Sequence, residues 1–178
     1  MKKLIAFFFV AITLTACETT QAPRYTASSD NTISLMDLSA KGERASVASV
    51  SISPGIDAKP LCRLMGELDI AAGKTTQEAI KEALQAELLA GKIYSKSGTA
   101  LIVEITRMDV STINGTWDLA AKISSNKNPA GFIVNDRFDY KTSFSAYKAC
   151  DNATIAFNSA LAQLFNKAFN HPRFAEAI

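Results

Sequence analysis

The chain has 178 residues, 48% apolar and 20% charged, enough core-forming sequence for one globular domain and too little charge for a disordered polymer. Nineteen Lys and Arg stand against 17 Asp and Glu, and the charges balance once Lys2 and Lys3 of a leader are set aside. A neutral chain without a basic run lacks the electrostatic footprint of a nucleic-acid binder. The single histidine, His171, gives metal cages and Ser-His or Cys-His nucleophile systems at most one residue to build on.

The first 17 residues read MKKLIAFFFVAITLTAC: a basic start, an uncharged run from Leu4 to Ala16, then small residues before a cysteine. This pattern predicts a secretory signal peptide over residues 1–16. The run is shorter than the roughly 20 apolar residues needed to cross a bilayer. Leu14-Thr15-Ala16-Cys17 resembles the lipobox of bacterial lipoproteins, which implies that Cys17 becomes the acylated N-terminus. Several acyl chains, at ~0.8 kcal/mol per buried CH₂, anchor stably where one binds reversibly. Glu18, in place of the aspartate that marks inner-membrane retention in that class, implies the outer membrane, on its periplasmic face. The membrane is thus the first expected partner, reached through the lipid.

Residues 17–45 read as lipidated cysteine and linker. Glu18 to about Asp30 is a Thr-, Ser- and Ala-rich tether reaching roughly 20 Å, and residues 31–45 form a linker or an arm whose Ile33, Leu35, Met36 and Leu38 could dock. The folded domain is expected over residues 46–178. Ser46–Ser53 alternates and ends at Pro54-Gly55, a strand and its turn. Leu61–Ile70 reads as a second, irregular strand. Thr75 and Glu78 form a capping box opening a helix whose Ile80, Ala83, Leu84 and Leu88 share a face, with Gly91 expected as a left-handed C-cap.

Thr99–Ser111 is β-branched and runs into Asn114-Gly115, a type I′ hairpin signal. Trp117, Leu119, Ala121 and Ile123 then alternate with Asp118, Ala120 and Lys122. Beyond the turn-rich SSNKNPAG, Phe132, Val134, Phe138, Tyr140 and Phe144 share one strand face, and Asn135, Arg137, Asp139 and Lys141 the other. Cys150–Phe169 is a broad-faced helix ended by His171-Pro172. The order β-α-β-β-β-α predicts an α+β fold: an antiparallel sheet of about four strands with two helices on one face.

With Cys17 lipidated, Cys62 and Cys150 remain, and two thiols in an oxidising compartment pair as one disulfide. By the loop-closure model this stabilises by at most roughly 4 to 5 kcal/mol. Gly73-Lys74-Thr75 is helix-start chemistry rather than a phosphate loop, because Leu68 stands where that motif needs its first glycine. His171 suits a helix end, and the aromatic stripes suit a core. Glu67, Asp69, Asp109, Asp118, Asp136 and Asp139 are scattered along strands, with Asp136 out of place on an apolar face, at a bulge, a rim or beside an arginine.

Cys62-Arg63, QEAIKEALQAELLAGKIY, the strands around Trp117, YKTSFSA and AC-x-x-A-x-x-AF-x-x-AL ending in HPRF together resemble a family of small proteobacterial outer-membrane lipoproteins, over about residues 46–178. More distantly the chain resembles YajG-like and LpoB-like lipoproteins, the latter activating peptidoglycan synthases by contact. The resemblance brings over no catalytic residue, cofactor or metal ligand. The anchor, the tether, the stapled small core and the lack of a recognisable catalytic constellation together point to a non-enzymatic, lipid-anchored accessory domain that binds an envelope protein. The alternative is a small-ligand binder or hydrolase with a pocket between helices and sheet.

Overall fold

A computed structural model describes residues 22–178 except Leu64. The expected signal peptide and the lipidation site Cys17 lie outside the described residues. Three strands, β2 (Thr99–Ser111), β3 (Thr116–Ser125) and β4 (Phe132–Asp139), form the expected antiparallel meander. The strand β1 (Ala45–Ile52) sits beside β2 and completes a sheet of order β1-β2-β3-β4.

β1 pairs with β2 in parallel, Ala45 opposite Thr99 and Ile52 opposite Ile105, so the sheet is mixed and not wholly antiparallel. The cause is the helix α2 (Thr76–Ala90) between them. A chain that returns through a helix re-enters the sheet at the end where it began, which makes neighbouring strands parallel. The stretch 61–70, expected as a strand, contributes only an isolated bridge between Leu61 and Glu67.

Two helices cover one face, α2 over β1 and α3 (Ala146–Phe169) over β3 and β4. Trp117 is the centre of that contact: its indole N–H donates to the Ala153 carbonyl at 2.9 Å, and its ring meets Phe157 edge-on at 5.1 Å. Such a pair is worth roughly 0.5–1.5 kcal/mol beyond its buried area. The capping box is present at Thr75, whose side chain accepts from the Glu78 N–H while Glu78 accepts from the Thr75 N–H. The Thr75 N–H, and after it the Thr75 hydroxyl, donate to the Glu78 carboxylate and hold it below its ordinary range.

Of the expected tether and linker, the described part from Ala22 onward packs on the domain. Residues 29–40 form a helix, α1 (Ser29–Ala40), that packs across α2 and α3 and buries Leu35 and Leu38, while Ile33 and Met36 stay exposed. A short α4 (Phe174–Ala177) closes the chain, with Phe174 against Phe132 and Phe169. The element order is therefore α-β-α-β-β-β-α-α.

Three local readings change as well. Gly91 has φ −75°, and the left-handed residue is Lys92 at φ +58°. The hairpin at Asn114-Gly115 has a four-residue loop in which Gly115 alone is left-handed, so it is not the type I′ turn, which needs two such residues. β4 ends at Asp139, which leaves Phe144 beyond the strand and outside the core.

Gly91 is glycine for a packing reason. A Cβ there would lie 2.3 Å from the Leu35 Cβ, so α1 sits directly on the end of α2. Gly91→Ala is expected to push α1 away at a cost of about 1–3 kcal/mol. Thermal unfolding should show the loss of stability, and limited proteolysis should show new cleavage within residues 29–40.

Candidate functional site

One pole of the molecule gathers the end of β1, the loop from Pro54 to Thr75, the β2–β3 hairpin and the loop between β4 and α3. The Cys62–Cys150 disulfide ties the first of these loops to the opening turns of α3, with the two Cα atoms 5.8 Å apart. The neighbouring Arg63, held at φ +44°, ties in the other two. Its guanidinium donates to the carbonyls of Thr112 at 2.6 Å, Ser143 at 3.2 Å and Phe144 at 3.3 Å, and to the Thr112 hydroxyl at 3.2 Å. An arginine fork filled by three carbonyls is a structural clamp.

The loops so joined expose their large apolar residues. Phe144 is wholly exposed at 107%, Ile113 is 75% exposed, and Leu61 and Met65 are 65% and 52% exposed. Clustered exposure of this kind marks an interaction surface more than scattered single residues do. Tyr140, behind the hairpin, donates to the Ser111 carbonyl at 3.3 Å. Burial pushes its hydroxyl up to about 12, partly offset by the charge of Arg63.

A second feature lies where the N-terminal segment crosses α2 and α3. Glu87 is fully buried, and its Oε1 accepts from the Tyr25 hydroxyl at 2.5 Å, the Asn31 amide at 2.9 Å and the Ser28 N–H at 3.1 Å. Among the described residues its Oε2 has no partner. Asn31 continues the network to the Ala162 carbonyl and to Asn166 of α3. Burial, and then the hydrogen bond and charge of Glu87, raise the Tyr25 hydroxyl well above its ordinary range. Beside this crossing are a hollow of about 370 Å³, lined by Pro23, Tyr25, Ile70 and Phe157, and an adjoining one of about 300 Å³. Lys74 at the first hollow is paired with Glu82.

The remaining face of the sheet is bare. Ile102 and Ile133 are exposed on it, Glu104 stands opposite Lys122, and Asp109 opposite Asp118. Asp109 and Asp118 thus face each other across two strands, and Asp139 shares Arg137 with Asp118. Both are matched by arginines, Asp109 by Arg107 at 2.7 Å and Asp118 by Arg137 at 3.9 Å, with Arg137 also 3.7 Å from Asp139. Lys141 is exposed just beyond β4.

Asp136 points inward beneath α3. Its Oδ1 accepts from Lys167 at 2.6 Å and Gln163 at 3.0 Å, so the cation on the apolar face is a lysine and not an arginine. His171 stacks on Phe132 with ring centroids 4.4 Å apart, and its Nδ1 accepts from the Arg173 N–H. Gly73-Lys74-Thr75 serves the start of α2, as its capping box requires. Among the described residues no group of three or more His, Cys, Asp or Glu is placed to hold a metal ion, and no helix is long and apolar enough to cross a membrane.

Arg63 and Glu87 are the two residues that sequence reasoning passed over. In the sequence Arg63 stands out only as the neighbour of Cys62. The signal for Glu87 was its place on the apolar face of α2, one residue before Leu88 and three after Leu84.

No family model matches the chain, and no curated protein matches it. Among solved structures, a crystal structure of an uncharacterized protein is similar at 10% identity and a TM-score of 0.41, over 71% of this chain and 87% of that chain.

The raised Tyr25 and Tyr140 hydroxyls carry a sign. The unfolded chain releases these protons near pH 10, the folded chain only at higher pH, so their contribution to stability is complete below pH 10 and is lost as pH rises above it. Urea unfolding at stepped pH should show stability falling from about pH 10. Tyr25→Phe should make that fall shallower.

Proposed function

We propose that the chain is a lipid-anchored domain on the periplasmic face of the outer membrane, acting by contact with an envelope protein rather than by catalysis. The observation that carries this reading is the bare face of the sheet. A four-stranded sheet covered by helices on one side only, with Ile102 and Ile133 exposed on the other near the starts of β2 and β4 and the paired charges further along the strands, offers both apolar and polar contacts. That is the composition of a protein interface. The Cys17 lipid and Glu18 supply the location by resemblance to bacterial lipoproteins, and a Cys62–Cys150 disulfide suits an oxidising compartment. Cell-wall synthesis or transport machinery is the class of partner that fits an accessory subunit there.

The test is a photo-crosslinking side chain placed at Ile133 in the full chain in living cells, with the same group at Leu89 on α2 as the control. A stoichiometric adduct from Ile133, absent from Leu89 and weakened by Cys17→Ser, is the expected result. An adduct-free Ile133 across several growth conditions would overturn contact through this face.

A further inference from the structure

We propose that the disulfide pole is a membrane-docking surface, resting its exposed apolar loops on the bilayer that holds the Cys17 lipid. The inference deepens the lipid-anchored reading above and rests on it.

The first argument is where the chain leaves the described domain. The Ala22 N–H donates to the Asp69 carbonyl at 3.1 Å. Asp69 adjoins Leu68, whose N–H bonds to the Pro60 carbonyl, in the same loop in which Leu61 bridges Glu67. The N-terminal segment therefore meets the domain on the loop that carries Leu61 and Met65.

The second argument is direction. From Ala22 onward the chain follows α3 toward its C-terminus: Asn158 donates to the Pro23 carbonyl, Asn31 donates to Ala162, and Ser34 reaches Asn170. At its Ala22 end this path lies on the side of α3 whose opening turns carry Tyr147 and Cys150, next to the Phe144 loop. From Asn158 to Tyr147 is about 16 Å at the 1.5 Å rise of a helix. Cys17 is five residues before Ala22, which span at most about 17 Å. A lipid on Cys17 thus holds the Ala22 end of the domain within about that distance of the bilayer, and the loop that Ala22 meets at Asp69 belongs to the disulfide pole.

The third argument is chemistry. Phe144, Ile113, Leu61 and Met65 offer apolar side chains on loops that the disulfide and Arg63 hold together, so little order is lost when they enter the lipid. Half-exposed Tyr147 stands beside them, a residue suited to the headgroup level. Among the described residues, the loops of the opposite pole, 91–98 and 126–131, expose none of the large apolar side chains. Around the docking loops Lys59 pairs with Glu67 and Lys148 with Asp151, which among the described residues leaves exposed Lys141 as a lone cation of the β4–α3 loop, so insertion is driven mainly by apolar area rather than by anionic lipid.

The experiment uses the full chain, processed in a lipoprotein-forming bacterium and checked for acylated Cys17 by intact mass. It is reconstituted in phosphatidylethanolamine–phosphatidylglycerol vesicles carrying bromine on the acyl chains. A tryptophan is introduced at an exposed site, Phe144→Trp at the pole or Leu89→Trp on α2 as the distant control. Phe144→Trp emission should move to shorter wavelength and be quenched by bromine, with little change when phosphatidylglycerol is reduced, while Leu89→Trp should respond to neither. Acylated protein with Phe144→Trp unquenched, or with both sites quenched equally, would overturn docking and leave the anchor standing. Protein without an acyl group on Cys17 would overturn anchor and docking together. Protection of Phe144→Trp by a co-purifying protein, without quenching, would assign the pole to a protein partner and overturn the lipid surface.

Discussion

The buried carboxylate of Glu87 makes the N-terminal segment part of the domain. A carboxylate taken out of water needs donors, and here they come from the segment outside the β-α-β core: the Tyr25 hydroxyl, the Ser28 N–H and the Asn31 amide. Removing them would leave the charge buried without compensation, a penalty of several kcal/mol. The segment is therefore fastened along α2 and α3, α1 follows it over Gly91, and the point at which the chain departs is fixed at Asp69.

With that point fixed, the molecule has a direction. The sheet runs between two unlike poles, one of polar turns and one of apolar loops drawn together by a covalent bond and a single guanidinium. The proposed protein-binding face lies along the sheet, roughly at right angles to the pole that carries the chain's departure. Under the proposed arrangement a partner would meet this domain from the side, close to the membrane, with the long axis of α3 setting the spacing.

The meander and both long helices were legible because their signals are local: alternation at Trp117–Ile123 and Phe132–Phe138, the Thr75–Glu78 capping box, and the apolar spacing of residues 150–169. The parallel placement of β1 was implicit in the helix between the strands, but the alternation of residues 46–53 is blind to the direction of a neighbour. The stretch 29–40 read as linker because its helix has a weak apolar face, with Leu35 and Leu38 buried while Ile33 and Met36 stay outside; only its docking on α2 and α3 makes it a helix of the domain. The two cysteines were legible as a pair by elimination. Arg63 and Glu87 were not, since each gains its meaning from carbonyls or donors some fifty or more positions away, and a charged residue in a sequence looks the same whether it meets water or a fold.

The Arg63 clamp and the sheet's bare face are built from different kinds of electrostatics, and they respond differently to the medium. The face is ordered by Arg107–Asp109 and Arg137–Asp118, exposed ion pairs that salt screens. The clamp sets one guanidinium against the carbonyls of Thr112, Ser143 and Phe144, a fork of hydrogen bonds to backbone rather than a pair of opposite charges. High ionic strength would thus loosen the charge pattern of the face while the pole keeps its shape, so a partner's grip would be tuned by the surroundings without disturbing how the domain is seated.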